Sequence, residues 1–541
     1  MVTAIVIGIV TGFAAVTFDM LVNGADRWVA GLSSTIGGTA AVLVTIVTPA
    51  IGGLLVAPIV VRWEPDARGS GIPHVMVAVS NLGGRVSRGL LAWRPLATAL
   101  SVGSGASLGT EGPVVQLGAA VASTFSRWWR LNDERRRNLV AVAAAGGIAA
   151  TFNAPIAGVL FALEVILGQF QGRYFASVVI GAVSATAVSR SVLGDAPAFA
   201  VPPDYHLAAV TELPFYLLLG VLASLLAVAF IRVMVGSEDV LNRFHVRPML
   251  RPAVGGLVVG LLAVVLPQVW GRGYGTTGAI LNEDLAAPLL LAAILIGKMV
   301  ATGASIGSWG SGGIFAPVLM VGAAFGATFA SLADGMVGAV DLRTGPFAVV
   351  GMAAVFAGVT RAPMSSIVMI FEISGSYDLI LPLLLAAVIA TLGADILHPE
   401  SFYRLMLSRR GLSLLRSRDI DLMQSVRVDE VMDRDVPTVS EDASLRQFAE
   451  ALAVSHHHGF VVTARAGPER MVGIVTLADL ERARREGTDM ATPVGEACTR
   501  LPYVAVPNEA ASEVLERMGR LGIGRMPVVD RARPDRPLGL V

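Results

Sequence analysis

The 541 residues are 54% hydrophobic and 15% charged, and 41 basic side chains balance 41 acidic ones to a formal net charge of zero. Soluble domains carry nearer a quarter charged residues, so a soluble globular chain is excluded, and a neutral balance offers nothing to nucleic acid. The single cysteine, Cys498, excludes an intramolecular disulfide and a cysteine-rich metal site; it reads as a small buried residue of a cytosolic fold.

In chain order, apolar runs come first. The N-terminal run has no basic n-region and no clear small-residue cleavage site, so it reads as a span and not as a signal peptide. Trp28 to Val61, Leu213 to Ile231, Pro252 to Gly271 and Met299 to Ala333 each carry no charge, and about 20 apolar residues suffice to cross a bilayer. The predicted class is a polytopic all-α membrane protein over residues 1–408. A basic linker (409–424) and two soluble α/β copies (425–490 and 491–541) follow. Arg404, Arg409, Arg410, Arg416 and Arg418, with the loop RWWRLNDERRRN at 127–138, favour a cytoplasmic C-terminal side.

The membrane region repeats itself. NAPIAGVLFALE (153–164) returns as RAPMSSIVMIFE (361–372), GASLG (105–109) as GASIG (303–307), and PVVQLG (113–118) as PVLMVG (317–322). Such repeats mark transporter-type folds, with the site between the copies near the midplane. Whether the copies are inverted is not legible from the motifs.

Three breaks share one grammar: GSGIP (69–73), GTEGP (109–113) and GSGGIFAP (310–317). Each runs from glycines to a proline and then to an apolar helical stretch. Proline suits the first turn of a helix, and glycine lets the backbone approach a ligand. The expected product is a helix N-terminus inside the membrane, which attracts anions through its free N–H groups. Non-helical backbone at that depth must be buried in protein or line a wet cavity. No Lys or Arg is expected at the anion itself, so dipoles and hydroxyls would hold it weakly enough to release it. Glu111 is the only charged residue between Arg94 and Arg127. Ionised, its carboxylate mimics the anion at a helix N-terminus; burial favours the neutral acid, which loses that attraction.

GSGIP, GTEGP and GGIFAP, in this order and spacing, resemble the three signature segments of the CLC chloride channel and transporter family across residues 1 to about 408. The resemblance implies a homodimer in the lipid bilayer of the cell membrane, with one pore per subunit built from an inverted repeat of broken, tilted helices. It implies chloride held by the hydroxyls of Ser70 and Tyr403 and the backbone N–H groups of Ile314 and Phe315, with Gly112 also at the chloride site. Glu111 matches the gating glutamate, so chloride and protons are the implied partners. A serine at position 70 resembles chloride-selecting members, and with GTEGP it argues against fluoride export. Exchangers of the family usually carry an inner acid, where this chain has Val165 after Glu164. Valine cannot relay a proton, so the expectation leans to a passive channel of the voltage-gated type, with chloride/proton antiport as the alternative. The pattern also departs at His74, where Glu is usual, and at Thr110, where a basic residue is usual. Glu372, the repeat partner of Glu164, fits a structural cap as well as a functional role.

The tail from residue 428 reads as strand, helix, strand, strand, helix, and a second copy begins near 493. It resembles a tandem pair of CBS domains, some of which bind adenine nucleotides. Thr476 and Asp479 match the positions that hold phosphate and ribose. The second copy stops at residue 541, just where its equivalent segment would begin, so the tail reads as C-terminally truncated. The run His456, His457, His458 lacks acidic or cysteine partners in sequence, so no metal is expected. No HExxH or GxSxG occurs, and no enzyme and no resident cofactor are expected.

Overall fold

The computed structural model describes the chain apart from residues 36–37, 169, 171, 196–197, 200, 203–204, 208, 338–341, 376, 413–425, 456, 458, 466 and 501–502. It divides into two compact units, Met1–Leu414 and Leu415–Val541. Most of the basic linker and two of the three consecutive histidines, His456 and His458, lie outside the described residues.

The first unit is built from helices. Its first half runs α1 (Val2–Thr35), α2 (Thr39–Pro58), α3 (Ile72–Ser80), α4 (Leu90–Gly103), α5 (Glu111–Trp128), α6 (Asp133–Phe152), α7 (Pro155–Phe161) and α8 (Gly172–Leu193). The second half runs α9 (Leu213–Arg243), α10 (Arg251–Val265), α11 (Tyr274–Leu281), α12 (Pro288–Gly307), α13 (Phe315–Val337), α14 (Thr344–Thr360), α15 (Pro363–Ser374) and α16 (Ile380–Leu397). A short α17 (Phe402–Ser408) follows. Among the described residues, eight helical stretches are long and apolar enough to cross a membrane.

Two of the uncharged windows are not single spans. Trp28–Val61 joins the end of α1 to α2, which starts behind Gly38 at φ 68°. Met299–Ala333 holds the end of α12, the third glycine break and the start of α13. Absence of charge reports an apolar environment, lipid or protein interior, whereas glycine and proline decide where helix stops inside it.

Packing repeats with a shift of eight helices. α1 lies on α4 and α8 as α9 lies on α12 and α16, and α6 lies on α5 and α8 as α14 lies on α13 and α16. Two equivalent pairs, α2 with α10 and α7 with α15, pack on each other. Contacts between equivalent elements are what a two-fold relation produces, as at an isologous interface. Small residues make the close crossings: a Cβ on Gly322 would lie 2.6 Å from the Gly351 oxygen, and one on Gly351 would lie 2.4 Å from the Gly322 oxygen. The breaks between these helices meet in the interior, and that is where the site forms.

The second unit runs α18 (Val428–Val431), β1 (Thr438–Ser440), α19 (Leu445–Val454), β2 (Gly459–Ala464), β3 (Gly467–Thr476) and α20 (Leu477–Arg485). It continues with α21 (Val494–Ala497), β4 (Thr499–Arg500), α22 (Ala511–Leu521), β5 (Pro527–Asp530) and β6 (Arg533–Leu540). From β1 to α20 this is the predicted order of elements. The sheet order is β1-β2-β3-β4, with β1 parallel to β2 and the other pairs antiparallel; β5 and β6 form a separate antiparallel pair. The two copies exchange their leading turns. Val494 packs into the core of Leu445, Phe448, Phe460 and Val475, while Val428 packs into the core of Val514, Met518 and Val528.

Candidate functional site

The three glycine breaks are hydrogen-bonded into one element, with the third lying between the other two. Gly69 N–H donates to the Gly310 oxygen (2.8 Å) and Gly312 N–H donates back to the Gly69 oxygen (3.2 Å). On the other side Gly109 and Gly313 exchange bonds of 2.8 and 2.7 Å. Segments separated by some 40 to 240 residues thus share one buried seat, from which α3, α5 and α13 diverge. Gly112 is required there, because a Cβ would lie 2.2 Å from the Ser70 carbonyl oxygen and 2.9 Å from its hydroxyl.

Ser70 and Tyr403 meet at this seat. Their side chains face one another, both are buried, and neither hydroxyl makes a well-formed hydrogen bond among the described residues. A buried hydroxyl without a partner is costly, so this pair is suited to receiving a hydrogen-bond acceptor. Ile314 and Phe315, fully buried, lead into α13, and the first N–H groups of a helix have no intrahelical partner. The Phe315 ring is fixed between Phe356 (centroids 4.5 Å) and Phe161 (5.2 Å). The predicted site residues are drawn from four segments packed around the same breaks: Ser70 from the first break, Gly112 from α5, Ile314 and Phe315 from the start of α13, and Tyr403 from α17.

Glu111 is the first residue of α5 and is fully buried. Its Oε1 accepts a hydrogen bond from the Tyr274 hydroxyl at 2.5 Å. Its Oε2 has no well-formed bond and lies beside the Ala316 N–H at the start of α13; a Cβ on Gly109 would be 2.1 Å from it. The carboxylate thus occupies the helix end that would otherwise attract an anion. The arrangement sets an acid on a helix end of the kind that attracts anions.

The expectation that no Lys or Arg stands near the breaks is corrected: Arg68 immediately precedes Gly69 and lines a cavity with Ser70, and a second arginine reaches the first break from a neighbouring helix. Arg94 of α4 is fully buried and gives Nη1 to the Ala67 oxygen (2.5 Å) and Nη2 to the Gly69 oxygen (2.7 Å). Its charge lies one residue from Ser70, although 24 positions separate them in sequence. A helix returning along the break brought it there, and nothing local in the sequence announced it.

A fourth break was also missed, GRGYG at 271–275. Shifting the first break by about 200 positions lands on it. Gly71 (φ 80°) starts α3 and Gly273 (φ 83°) starts α11. A Cβ on Gly71 would meet Gln116 and Arg94, and one on Gly273 would meet Met320 and Lys298, the same positions shifted by 204. Lys298 is fully buried and donates to the Val269 oxygen (3.0 Å) and the Gly271 oxygen (2.7 Å), as Arg94 does in the first copy. This break delivers Tyr274 to Glu111.

Val165 is buried in a π-helical turn, Ala162–Leu167, that continues α7. Its neighbour Glu164 turns instead to the start of α15, accepting from Met364 N (3.2 Å), Ser365 N (2.7 Å) and Ser365 Oγ (2.5 Å). His74 lines a small cavity with Ser70, Arg68 and Arg410. Its Nε2 lies 3.3 Å from Asp66 Oδ1 and 2.8 Å from Arg410 Nη1. Thr110 is the N-cap position of α5 without a side-chain cap, and its hydroxyl is buried and unpaired.

In the second unit, Thr476 and Asp479 cap α20: Asp479 Oδ2 accepts from Thr476 N (2.9 Å) and Thr476 Oγ1 (2.8 Å), and Oδ1 accepts from Arg482 (2.5 Å). His457 Nδ1 is 3.8 Å from Asp433 Oδ2, and no group of metal-ligating side chains forms among the described residues.

The profile described as "Voltage gated chloride channel" matches residues 52–395, and the CBS domain profile matches 428–486. An H(+)/Cl(-) exchange transporter ClcA of Vibrio parahaemolyticus is 34% identical over 430 residues, covering 76% of this chain and 89% of the relative. A putative chloride channel protein ClcB-like of Ralstonia nicotianae is 33% identical over 423 residues, covering 76% and 97%. A solved structure described as a slow cyanobacterial Cl−/H+ antiporter superposes with a TM-score of 0.70 at 26% identity, covering 77% of this chain and 98% of that one.

Proposed function

This chain belongs to the voltage-gated chloride channel, or CLC, family, an integral membrane family of anion transporters with a C-terminal CBS pair here, and we propose that it exchanges chloride for protons. The observation that carries this reading is the Glu111 carboxylate lying across the start of α13, beside Ala316 N–H and within reach of the Tyr274 hydroxyl. Ionised, it competes with chloride for the N-terminal end of α13. Protonated, it gives up the seat and takes a proton with it. Chloride then binds between the Ser70 and Tyr403 hydroxyls and the Ile314 and Phe315 N–H groups, with Gly112 leaving room for the Ser70 backbone. The 34% identical relative named as an exchange transporter supports exchange over a passive channel.

One observation favours a passive channel, namely Val165 in the position of the usual inner acid, with Glu164 committed to α15. In the exchange reading, protons reach the inner side through the cavity that Ser70 shares with His74. The test is simultaneous chloride and proton flux from proteoliposomes under a chloride gradient. Uphill proton movement is the expected result; chloride flux with no coupled proton movement would leave the channel.

A homodimer in the cell membrane completes the proposal, with the CBS pair on the cytoplasmic side, a sidedness supported by the arginines of the 127–138 loop and those after α17. At the CBS pair, adenine nucleotide would meet Thr476 and Asp479. Thermal stabilisation of the full chain by ATP or AMP, lost in Asp479→Ala, checks that assignment.

A further inference from the structure

We propose that Tyr274 is an outer latch on the gate: its hydroxyl holds the Glu111 carboxylate in its seat, and breaking that one hydrogen bond limits turnover. The inference rests on the reading of Glu111 as gate and names the residue that positions it.

Tyr274 comes from the second copy of the repeat, and Glu111 from the first. The phenol reaches across the interface between copies to Oε1, at 2.5 Å. It is held there from several sides. Gly273, with φ 83°, aims the first residue of α11 inward, and a Cβ at that position would lie 2.4 Å from Met320 Sδ. Lys298, buried, clamps the carbonyls of the preceding loop at Val269 and Gly271. The Phe199 ring packs edge-on against the Tyr274 ring at 5.2 Å. Arg272 stacks its guanidinium 5.0 Å from the same ring and is itself fixed by Asp19 at 3.1 Å. A side chain so constrained keeps its donor in place while Glu111 moves.

The other face of Tyr274 lines a cleft with Asp26, Gln268, Arg272 and Thr276. Tyr274 therefore stands between that cleft and the gate. A donor aimed at an ionised carboxylate makes one of the stronger hydrogen bonds in a protein. It favours the seated, ionised state of Glu111 over the displaced state, in which the bond is absent. The latch thus slows release of the gate and restrains chloride leak through the seat.

The test is a double-mutant cycle on chloride efflux from proteoliposomes of the full chain at pH 7. Tyr274→Phe keeps the ring and its contacts with Phe199 and Arg272 and removes only the donor. Efflux is expected to rise on the order of tenfold, the scale of one hydrogen bond to a charged group. In the Glu111→Gln background the same change is expected to have no effect, a dependence that a merely structural role would not show. Unchanged or slower efflux in Tyr274→Phe, or equal acceleration in both backgrounds, would overturn the latch alone. A Glu111→Gln flux that still responds to pH would overturn both the gate and the latch.

Discussion

Glu164 and Glu372 cap each other's helices. Glu372, on α15, accepts from Ile156 N (3.0 Å) and Ala157 N (2.7 Å) at the start of α7. Glu164, within the turn that continues α7, accepts from Met364 and Ser365 at the start of α15. The reciprocity is the two-fold relation of the repeat expressed in four backbone bonds. It also resolves the sequence-level choice for Glu372 in favour of a cap.

Removing one of these caps is therefore a stability change. Glu372→Ala strips two N–H groups of a charged acceptor and is expected to cost about 1–3 kcal/mol, read as a lower melting temperature in detergent. Glu372→Gln keeps an acceptor and should cost less. Chloride selectivity should be untouched in both. Identical melting of Glu372→Ala and the parent would remove the cap from the stability account.

Glu111→Gln removes the carboxylate proposed as the gate and leaves a neutral side chain of the same shape. Chloride flux should persist and become nearly independent of pH between about 4 and 8, while proton movement is abolished. Paired chloride-electrode and pH-electrode recordings from one liposome sample read both. A pH response as large as the parent's would exclude Glu111 as the gate.

Gly112→Ala places a methyl 2.2 Å from the Ser70 carbonyl oxygen. Neither group can move far, because Gly69 and Gly109 are both bonded to the third break. The variant is expected to fold and to lose more than tenfold in chloride flux, as a one-ångström displacement at a binding site commonly does. Normal flux would show that the Ser70 loop yields without consequence for the anion.

Ser70→Pro changes a hydroxyl that meets Tyr403 into an apolar ring. Chloride is expected to lose preference to nitrate in competition flux assays. An unchanged chloride-to-nitrate ratio would displace the central site from Ser70.

Burial pushes the Cys498 thiol above its ordinary value, with Arg500 opposing it. Less thiolate at pH 8 means slow alkylation. Maleimide labelling of the full chain should proceed several-fold more slowly than labelling of a cysteine placed at an exposed position such as Glu486, and should accelerate as pH rises above 9. Equal rates at pH 8 would contradict the burial of this thiol.

Much of this protein was written locally. Composition alone made it a membrane chain, because a bilayer leaves few sites for charge. The three breaks were visible because glycine and proline act on the backbone at their own positions, so GSGIP, GTEGP and GSGGIFAP announce helix ends wherever they fall. Glu111 stood out because an isolated acid in an apolar stretch has few neighbours to confuse it. The strand and helix order of the first tail copy was legible in sequence as well.

What tertiary structure decided is who stands opposite whom. Arg94 and Lys298 look like ordinary helix residues; their roles depend on carbonyls some 25 to 29 positions away that only a returning helix presents. Tyr274 reads as one aromatic among many until the second copy folds onto the first and sets its hydroxyl against a carboxylate 163 positions earlier. A glutamate in sequence carries no sign of which donors it will meet. Glu111 met the Tyr274 hydroxyl, and Glu164 and Glu372 met the first N–H groups of each other's helices, because hydrogen bonds and ion pairs act over a few ångströms of space and not along the chain.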